Sequence, residues 1–215
     1  MITLFGIPAS NYYNVVKMAL LEKGLQFSEE IVLPRSKDEE MLLLSPLGKI
    51  PFIRTPEGGM CESQAILTYI EASQPSPSLM PSNPFGCAKA YELMTYINLH
   101  LELVARELYS EAFFGGHSSE DTKARIKKSL LRNIEGFKRL MKFEPYIAGN
   151  TFSLADCVAF MNLSIVGLST KLVFGEDLLL AGDIEYKSYT KMIGQRPSAQ
   201  KVIEDRKSYM AAQQK

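Results

Sequence analysis

The chain has 215 residues, 46% of them hydrophobic and 22% charged, enough apolar material for one large or two small buried cores. Lysine plus arginine and aspartate plus glutamate each number 24, so the formal net charge is zero and no block of like charge stands out; nucleic acid, which requires a basic face, is not expected as a partner. The three cysteines (Cys61, Cys87, Cys157) are widely spaced and the two histidines (His100, His117) lack partners at ligand spacing, which points to neither a disulfide framework nor a metal site and to a reducing cytoplasm.

The first residues, MITLFGIP, contain no basic segment leading into a long apolar run, so a signal peptide is not expected. No apolar run approaches the roughly 18–20 residues that span a bilayer. Residues 2–5 predict a short strand stopped by Gly6 and Pro8, and residues 12–23 a helix carrying Val15, Val16, Ala19 and Leu20, closed by Gly24. A strand is expected over 27–33, a short helical segment near 38–44, a strand over 50–54, a tight turn at Glu57-Gly58-Gly59 with a returning stub at Met60-Cys61, and a helix over 62–73. The order is β-α-β-α-β-β-α. Four prolines among the eleven residues 74–84, QPSPSLMPSNP, mark a semi-rigid linker and a domain boundary. Beyond it strand signals almost vanish, and helical patterns cover 85–113, 120–142, 154–172 and 184–210. The second carries the stripe Ile126, Leu130, Ile134, Phe137 and Met141; the third is apolar nearly all round; the last is broken by Gly194 and Pro197. Three regions are expected: an α/β domain over 1–74, a linker over 75–84 and an all-helical domain over 85–215.

Three short motifs carry chemistry. Gly48-Lys49-Ile50-Pro51-Phe52-Ile53 runs into an expected strand, where proline is tolerated only at an edge or an end. A cis Ile50–Pro51 bond, about 0.5–1 kcal/mol above trans for an X–Pro pair, would turn the Ile50 N–H and C=O outward to pair with an extended peptide. A trans proline at a strand start also accounts for the motif. Glu62-Ser63-Gln64-Ala65-Ile66 opens a helix, where Ser63 can cap and unpaired N–H groups would receive a carboxylate, while Glu62 would accept from an ammonium beside it. Together they would hold an α-amino acid end; a plain N-cap with an acidic first turn fits as well. In Pro8-Ala9-Ser10-Asn11-Tyr12-Tyr13-Asn14, a hydroxyl at the start of the first helix would donate to a thiolate and lower its pKa, with Ser10 the candidate, or Ser10 simply caps. No His–Asp arrangement is in sight to make Ser10 a covalent nucleophile. Further along, Ser153-Leu154-Ala155-Asp156 has the spacing of a capping box, a folding signal.

A β-α-β-α-β-β-α front with GKIP, then ESQAI, a proline-rich linker and a helical half with FSLAD resembles the cytosolic glutathione transferase family over nearly the whole chain. The resemblance implies a thioredoxin-like α/β domain with a mixed four-stranded sheet, followed by an all-α C-terminal helical bundle. In that family the proline matching Pro51 is cis, the residue before it pairs with the cysteinyl backbone of glutathione, and the Glu-Ser pair holds the γ-glutamyl end. Those roles fall on Ile50, Pro51, Glu62 and Ser63, with Lys49 near the glycyl carboxylate. Tyrosine-type classes take their hydroxyl from the end of the first strand, where this chain has Phe5, and no cysteine precedes Cys61 to serve a cysteine-type class. Ser10 matches the serine position of the serine-type classes of bacterial and plant style. The surrounding SNYYN departs from the commoner forms, so Asn11, Tyr12 or Tyr13 could share or take over the task. The electrophile is expected against Tyr13 together with Tyr96, Arg106, Tyr109 and Phe113. The implied activity is conjugation of the glutathione thiolate to small hydrophobic electrophiles in the cytoplasm, a detoxification reaction, with peroxidase activity beside it. Glutathione-dependent cis/trans isomerisation and a non-catalytic, glutathione-binding regulatory or assembly role are the alternatives. The implied partners are glutathione, a small electrophile and a second copy of the chain, with no metal, nucleic acid or membrane.

Overall fold

In the computed structural model, which describes residues 1–213, the first strand β1 (Ile2–Gly6) lies inside a four-stranded sheet of order β2-β1-β3-β4. It pairs in parallel with β2 (Phe27–Ile31) and antiparallel with β3 (Phe52–Thr55), which pairs antiparallel with β4 (Gly58–Cys61). The connections are α1 (Asn11–Glu22), α2 (Glu39–Leu44) and, after β4, α3 (Ser63–Ser73). The thioredoxin-like order expected from the sequence is therefore present. Leu4 and Phe5 of the inner strand are fully buried, and the Phe5 ring stacks on Phe52 at a centroid distance of 4.7 Å. The outer strand β2 is mostly exposed and carries Glu29 and Glu30, charges that discourage edge pairing.

Two compact units emerge, one comprising Met1–Met80 with the segment from Gly194 onward, the other Pro81–Ile193. In the first, α1 is buried almost all round because α3 and the last helix, Pro197–Ala212, both pack on it. Burial of charge there is compensated, as it must be. Lys17, 2% exposed, reaches Glu29 at 2.5 Å and Asp205 at 2.6 Å. Glu22 accepts from Arg196 Nε and Nη2, both at 2.7 Å, and from the Ser198 hydroxyl. Lys23 donates to the carbonyls of Gln74 and Pro77, each at 2.7 Å, and pairs with Glu71, so the first linker residues are tied to the end of α1.

The second unit is helical. Asn83 caps α4 (Pro84–Tyr96) through Gly86 N–H, and Pro84 occupies the first turn, where no N–H is needed. The apolar pattern predicts one helix over 85–113, but the backbone changes pitch after α4. A π-helical turn over Ile97–Glu102 precedes α5 (Leu103–Ala105), a 3₁₀ turn over Arg106–Leu108 and α6 (Tyr109–Phe114). Neighbouring helices grip this stretch: Asn133 Nδ2 donates to the His100 carbonyl at 2.7 Å and Asn162 Nδ2 to Asn98 Oδ1 at 2.8 Å. Asn133 lies on α7 (Glu120–Lys138) and Asn162 on α8 (Leu154–Phe174), followed by α9 (Leu178–Ala181), α10 (Tyr186–Ile193) and, in the first unit, α11 (Pro197–Ala212).

The capping box at Ser153 and Asp156 is formed at the start of α8. That helix is long and apolar enough to cross a membrane, which the sequence reading did not anticipate, yet 67% of its apolar window is buried inside the protein. It is the core of the helical unit, contacting α4, α6, α9 and α10. Gly167 on α8 suits a close approach, since a Cβ there would run into the Tyr186 hydroxyl and come within 2.7 Å of Asp177 Oδ2.

Candidate functional site

The sheet register gathers the sequence-predicted residues of the first unit. Phe5 stands opposite Phe52, and Phe52 opposite Cys61, in one row across β1, β3 and β4. The residues that follow Phe5, precede Phe52 and follow Cys61 therefore leave the same end of the sheet. These are the loop Gly6–Ser10, the pair Ile50–Pro51 and the pair Glu62–Ser63. Gly6 seals the junction: its φ is 147°, and a Cβ there would meet Tyr13 Cδ2 at 2.7 Å and Ile50 Cβ at 3.3 Å.

Ile50–Pro51 is cis, with Pro51 buried and Ile50 half-buried. The ladder of β3 begins only at Phe52, and among the described residues no backbone hydrogen bond uses the Ile50 N–H or C=O. A donor and an acceptor on one residue, neither used by a backbone partner, suit a peptide backbone laid alongside. Lys49 is exposed, its carbonyl accepting from Ser45 Oγ at 2.8 Å.

The structure corrects the role of Ser63 as a cap. Glu62, not Ser63, is the N-cap of α3; its side chain makes no capping bond, and it adopts φ 66° and ψ 111°. A non-glycine residue held there is strained, and such strain gathers at ligand sites. Ser63 is the first helical residue, so its hydroxyl stands beside an uncapped helix N-terminus, a receptor for a carboxylate.

Ser10 does cap α1. Its Oγ accepts from Tyr13 N–H at 3.3 Å. Capping uses an oxygen lone pair and leaves the O–H as a donor, so capping and thiolate stabilisation are compatible. Asn14, which the sequence reading passed over, donates from Nδ2 to the Pro8 carbonyl at 2.8 Å and fixes the Pro8–Ser10 loop against α1. Asn11 is 4% exposed in the first turn and Tyr12 is half-buried. Tyr13 is placed otherwise than expected: it is fully buried and its hydroxyl donates to Glu29. Burial first, then that bond and the Glu29 charge, push its phenol well above the ordinary tyrosine pKa. It faces the interior of the unit because Gly6 leaves room for its ring.

In the helical unit the four remaining candidates separate. Tyr96 packs toward α7, its hydroxyl donating to the Asn133 carbonyl at 2.9 Å and its ring lying 6.2 Å from Phe137, centroid to centroid. Arg106, Tyr109 and Phe113 come together instead. The Arg106 guanidinium carbon lies 5.1 Å from the Tyr109 ring centroid, and Tyr109 meets Phe113 edge-on at 5.2 Å. Beneath them is Glu102, a residue the sequence reading missed, bonded to both Arg106 and Tyr109. The spacing Glu102, Arg106, Tyr109 is i, i+4, i+7, a signal for one helix face that was open to reading.

The family profile described as glutathione S-transferase, N-terminal domain, matches residues 4–78. A glutathione S-transferase of Pseudomonas putida is 37% identical over 212 residues, 99% of this chain and 96% of its own length. A stringent starvation protein A homolog of Pasteurella multocida is 26% identical over 91% of this chain and 87% of its own. Among solved structures, a glutathione S-transferase of Methylobacterium radiotolerans in complex with glutathione sulfonate matches with a TM-score of 0.75 at 23% identity, over 94% of this chain and 93% of that one.

Proposed function

The chain belongs to the glutathione S-transferase family, and from that premise we propose that it binds glutathione on its first unit and transfers the tripeptide as a thiolate to a small hydrophobic electrophile. The observation that carries this reading is the convergence of three chain segments at one end of the sheet, each offering a group suited to a different part of glutathione. Ile50, next to the cis bond with Pro51, pairs N–H and C=O with the cysteinyl backbone. Ser63 and the open N-terminus of α3 receive the γ-glutamyl carboxylate while Glu62 accepts from its ammonium, and Lys49 meets the glycyl carboxylate.

The Ser10 hydroxyl donates to the sulfur, aided by the N-terminal end of α1, with Asn11 and Tyr12 beside it as alternative donors. Stabilising the thiolate raises its fraction at neutral pH, and the thiol proton passes to solvent. The sulfur lone pair then forms the carbon–sulfur bond as the leaving group departs with its electron pair, and holding both reactants together supplies the remaining acceleration. In the helical unit, the cluster of Arg106, Tyr109 and Phe113 is the candidate aromatic surface for the electrophile. The same thiolate attacks a peroxide oxygen by breaking the O–O bond: the alkoxide leaves and takes a proton from solvent, and a second glutathione thiol converts the glutathione sulfenic acid to the disulfide with loss of water. Tyr13 and Tyr96 have no part in this, because their hydroxyls are bonded to Glu29 and to the Asn133 carbonyl. The enzyme works in the cytoplasm as a homodimer, a proposal that rests on the family.

A second reading is a non-catalytic, glutathione-binding regulatory or assembly role; one relative over most of the chain bears the name stringent starvation protein A homolog and not that of a transferase. Conjugation to 1-chloro-2,4-dinitrobenzene followed against pH separates the two. Ser10→Ala is expected to move the apparent pKa of turnover up by about one unit, some 1.4 kcal/mol of lost thiolate stabilisation. An unchanged profile transfers the role to Asn11 or Tyr12, and no turnover with glutathione bound leaves the regulatory reading.

A further inference from the structure

Lys17 is 2% exposed in the middle of α1, and no step of the proposed chemistry uses it. Its Nζ donates to Glu29 Oε2 on β2 at 2.5 Å and to Asp205 Oδ2 on α11 at 2.6 Å. The same Glu29 oxygen accepts from the hydroxyl of Tyr13, one turn nearer the start of α1, and Asp205 is also held by Lys201 of its own helix. At the other end of α1, Glu22 accepts from Arg196 and Ser198, where α11 begins. Partners that rise in number along α11 as they fall along α1 make the two helices antiparallel. Along its length α11 therefore advances toward the N-terminal turn of α1, where Ser10 stands.

The path reaches Ser10 through Tyr13. The Tyr13 ring is fully buried and lies over Gly6, and its hydroxyl is tied to Glu29. Its backbone N–H is the donor that Ser10 Oγ accepts, at 3.3 Å. That distance exceeds the usual range of about 2.7–3.2 Å for an N–H···O bond, so the capping bond is weak and the direction left to the Ser10 O–H follows the placement of Tyr13. Misplacing a reacting group by about 1 Å costs up to about a hundredfold in rate, so small shifts of this first turn matter.

We propose that Asp205, Lys17, Glu29 and Tyr13 are positioning residues for Ser10, through which the docking of the last helix sets the hydroxyl that stabilises the glutathione thiolate. The whole path lies within the first unit. None of the four side chains touches the sulfur; Tyr13 moves no proton, and its backbone carries the final link. The inference rests on the proposed role of Ser10.

The test uses Asp205→Ala in the full-length protein. The thiol pKa of bound glutathione is read from thiolate absorbance near 240 nm against pH, and calorimetry gives the affinities for glutathione and for S-methylglutathione, which has no ionisable thiol. Removing a carboxylate would by charge alone lower the thiol pKa. Positioning predicts the opposite sign, a rise of about half a unit or more, with glutathione weakened about threefold relative to S-methylglutathione near neutral pH. In the Ser10→Ala background, Asp205→Ala is expected to move the pKa no further, since both act on one bond. Should Asp205→Ala fail to fold, as read by circular dichroism, Tyr13→Phe cuts the path at its other end with the ring kept, and the same shift is expected. An unchanged or lowered pKa in the folded variant, equal losses for the two ligands, or an undiminished shift without Ser10 overturns the proposal. If the wild type still binds glutathione as the thiolate in those cases, the proposed function stands without it; if glutathione does not bind, both fall.

Discussion

Replacing Asp156 by asparagine removes the best-connected carboxylate of the helical unit and changes little else in shape. The fully buried side chain accepts four hydrogen bonds: Ile147 N–H at 2.9 Å and the Tyr189 hydroxyl at 2.8 Å on Oδ1, Ser153 N–H at 2.8 Å and the Ser153 hydroxyl at 3.1 Å on Oδ2. Asparagine keeps the first pair on its carbonyl oxygen but sets an NH₂ against Ser153 N–H. The serine hydroxyl can rotate to accept; the backbone N–H cannot and is orphaned. An unsatisfied buried donor costs about 1–3 kcal/mol, so Asp156→Asn is expected to lose about 2 kcal/mol, or roughly 4–8 °C in Tm for a chain of this size. Asp156→Ala strands all four donors and is expected to lose more than about 4 kcal/mol. Burial raises the Asp156 pKa, only partly offset by these bonds. With the folded pKa above the unfolded one, its contribution is full below about pH 3.9 and declines as pH rises through the folded value. The deficit of the non-titrating asparagine variant therefore narrows between about pH 4 and about pH 7. Urea unfolding followed by circular dichroism measures it. A variant within about 0.5 kcal/mol of wild type at both pH values would refute the reasoning.

Gly6→Ala places a methyl 2.7 Å from Tyr13 Cδ2 and at a φ of 147°, and is expected to destabilise by about 2–4 kcal/mol while loosening Ile50. Calorimetry should therefore show glutathione affinity falling well beyond that of a comparably destabilised Leu130→Ala control in α7. Lys17→Met leaves Glu29 and Asp205 facing each other without their shared cation; because both carboxylates are partly exposed, the loss is expected near 2 kcal/mol, with faster hydrogen exchange along α11. Burial acts to raise the pKa of Asp205 and of Glu22, but bonds from Lys17 and Lys201 to the first, and from Arg196 and Ser198 to the second, leave both lowered. Their stabilisation is present above the ordinary carboxyl range and disappears as pH falls through the lowered values, so exchange protection of α11 should drop below about pH 4 while that of α8 persists.

Much of the fold was legible because it rests on local chemistry. Gly6 and Pro8 stop β1, Gly24 follows the end of α1, the prolines of 74–84 interrupt both periodicities, and Ser153 with Asp156 announces α8. What escaped was decided by partners remote in sequence. The stretch 97–108 has an unbroken apolar rhythm, and its π and 3₁₀ turns accompany bonds from Asn133 and Asn162 that no local pattern encodes. Arg196 meets Glu22 across 174 positions, and the docking of α11 on α1 follows from that pair and from Lys17 with Asp205. At the candidate site, motif spacing identified the segments around Ser10, Pro51 and Glu62, while the register of β1, β3 and β4 supplies the reason they meet. Tyr13 was misjudged because a tyrosine at a helix start looks available in sequence, whereas the empty space over Gly6 draws it inward to Glu29. Glu102 was overlooked because a glutamate in a helix usually faces water.

The most direct measurement is titration of the purified protein with glutathione, reading heat together with thiolate absorbance near 240 nm. The account predicts saturable binding with one site per chain, thiolate absorbance rising on binding at neutral pH, and affinity reduced about tenfold by Ser63→Ala, which removes one hydrogen bond to a charged carboxylate. Absence of heat and of any thiolate signal in the folded wild type would contradict it.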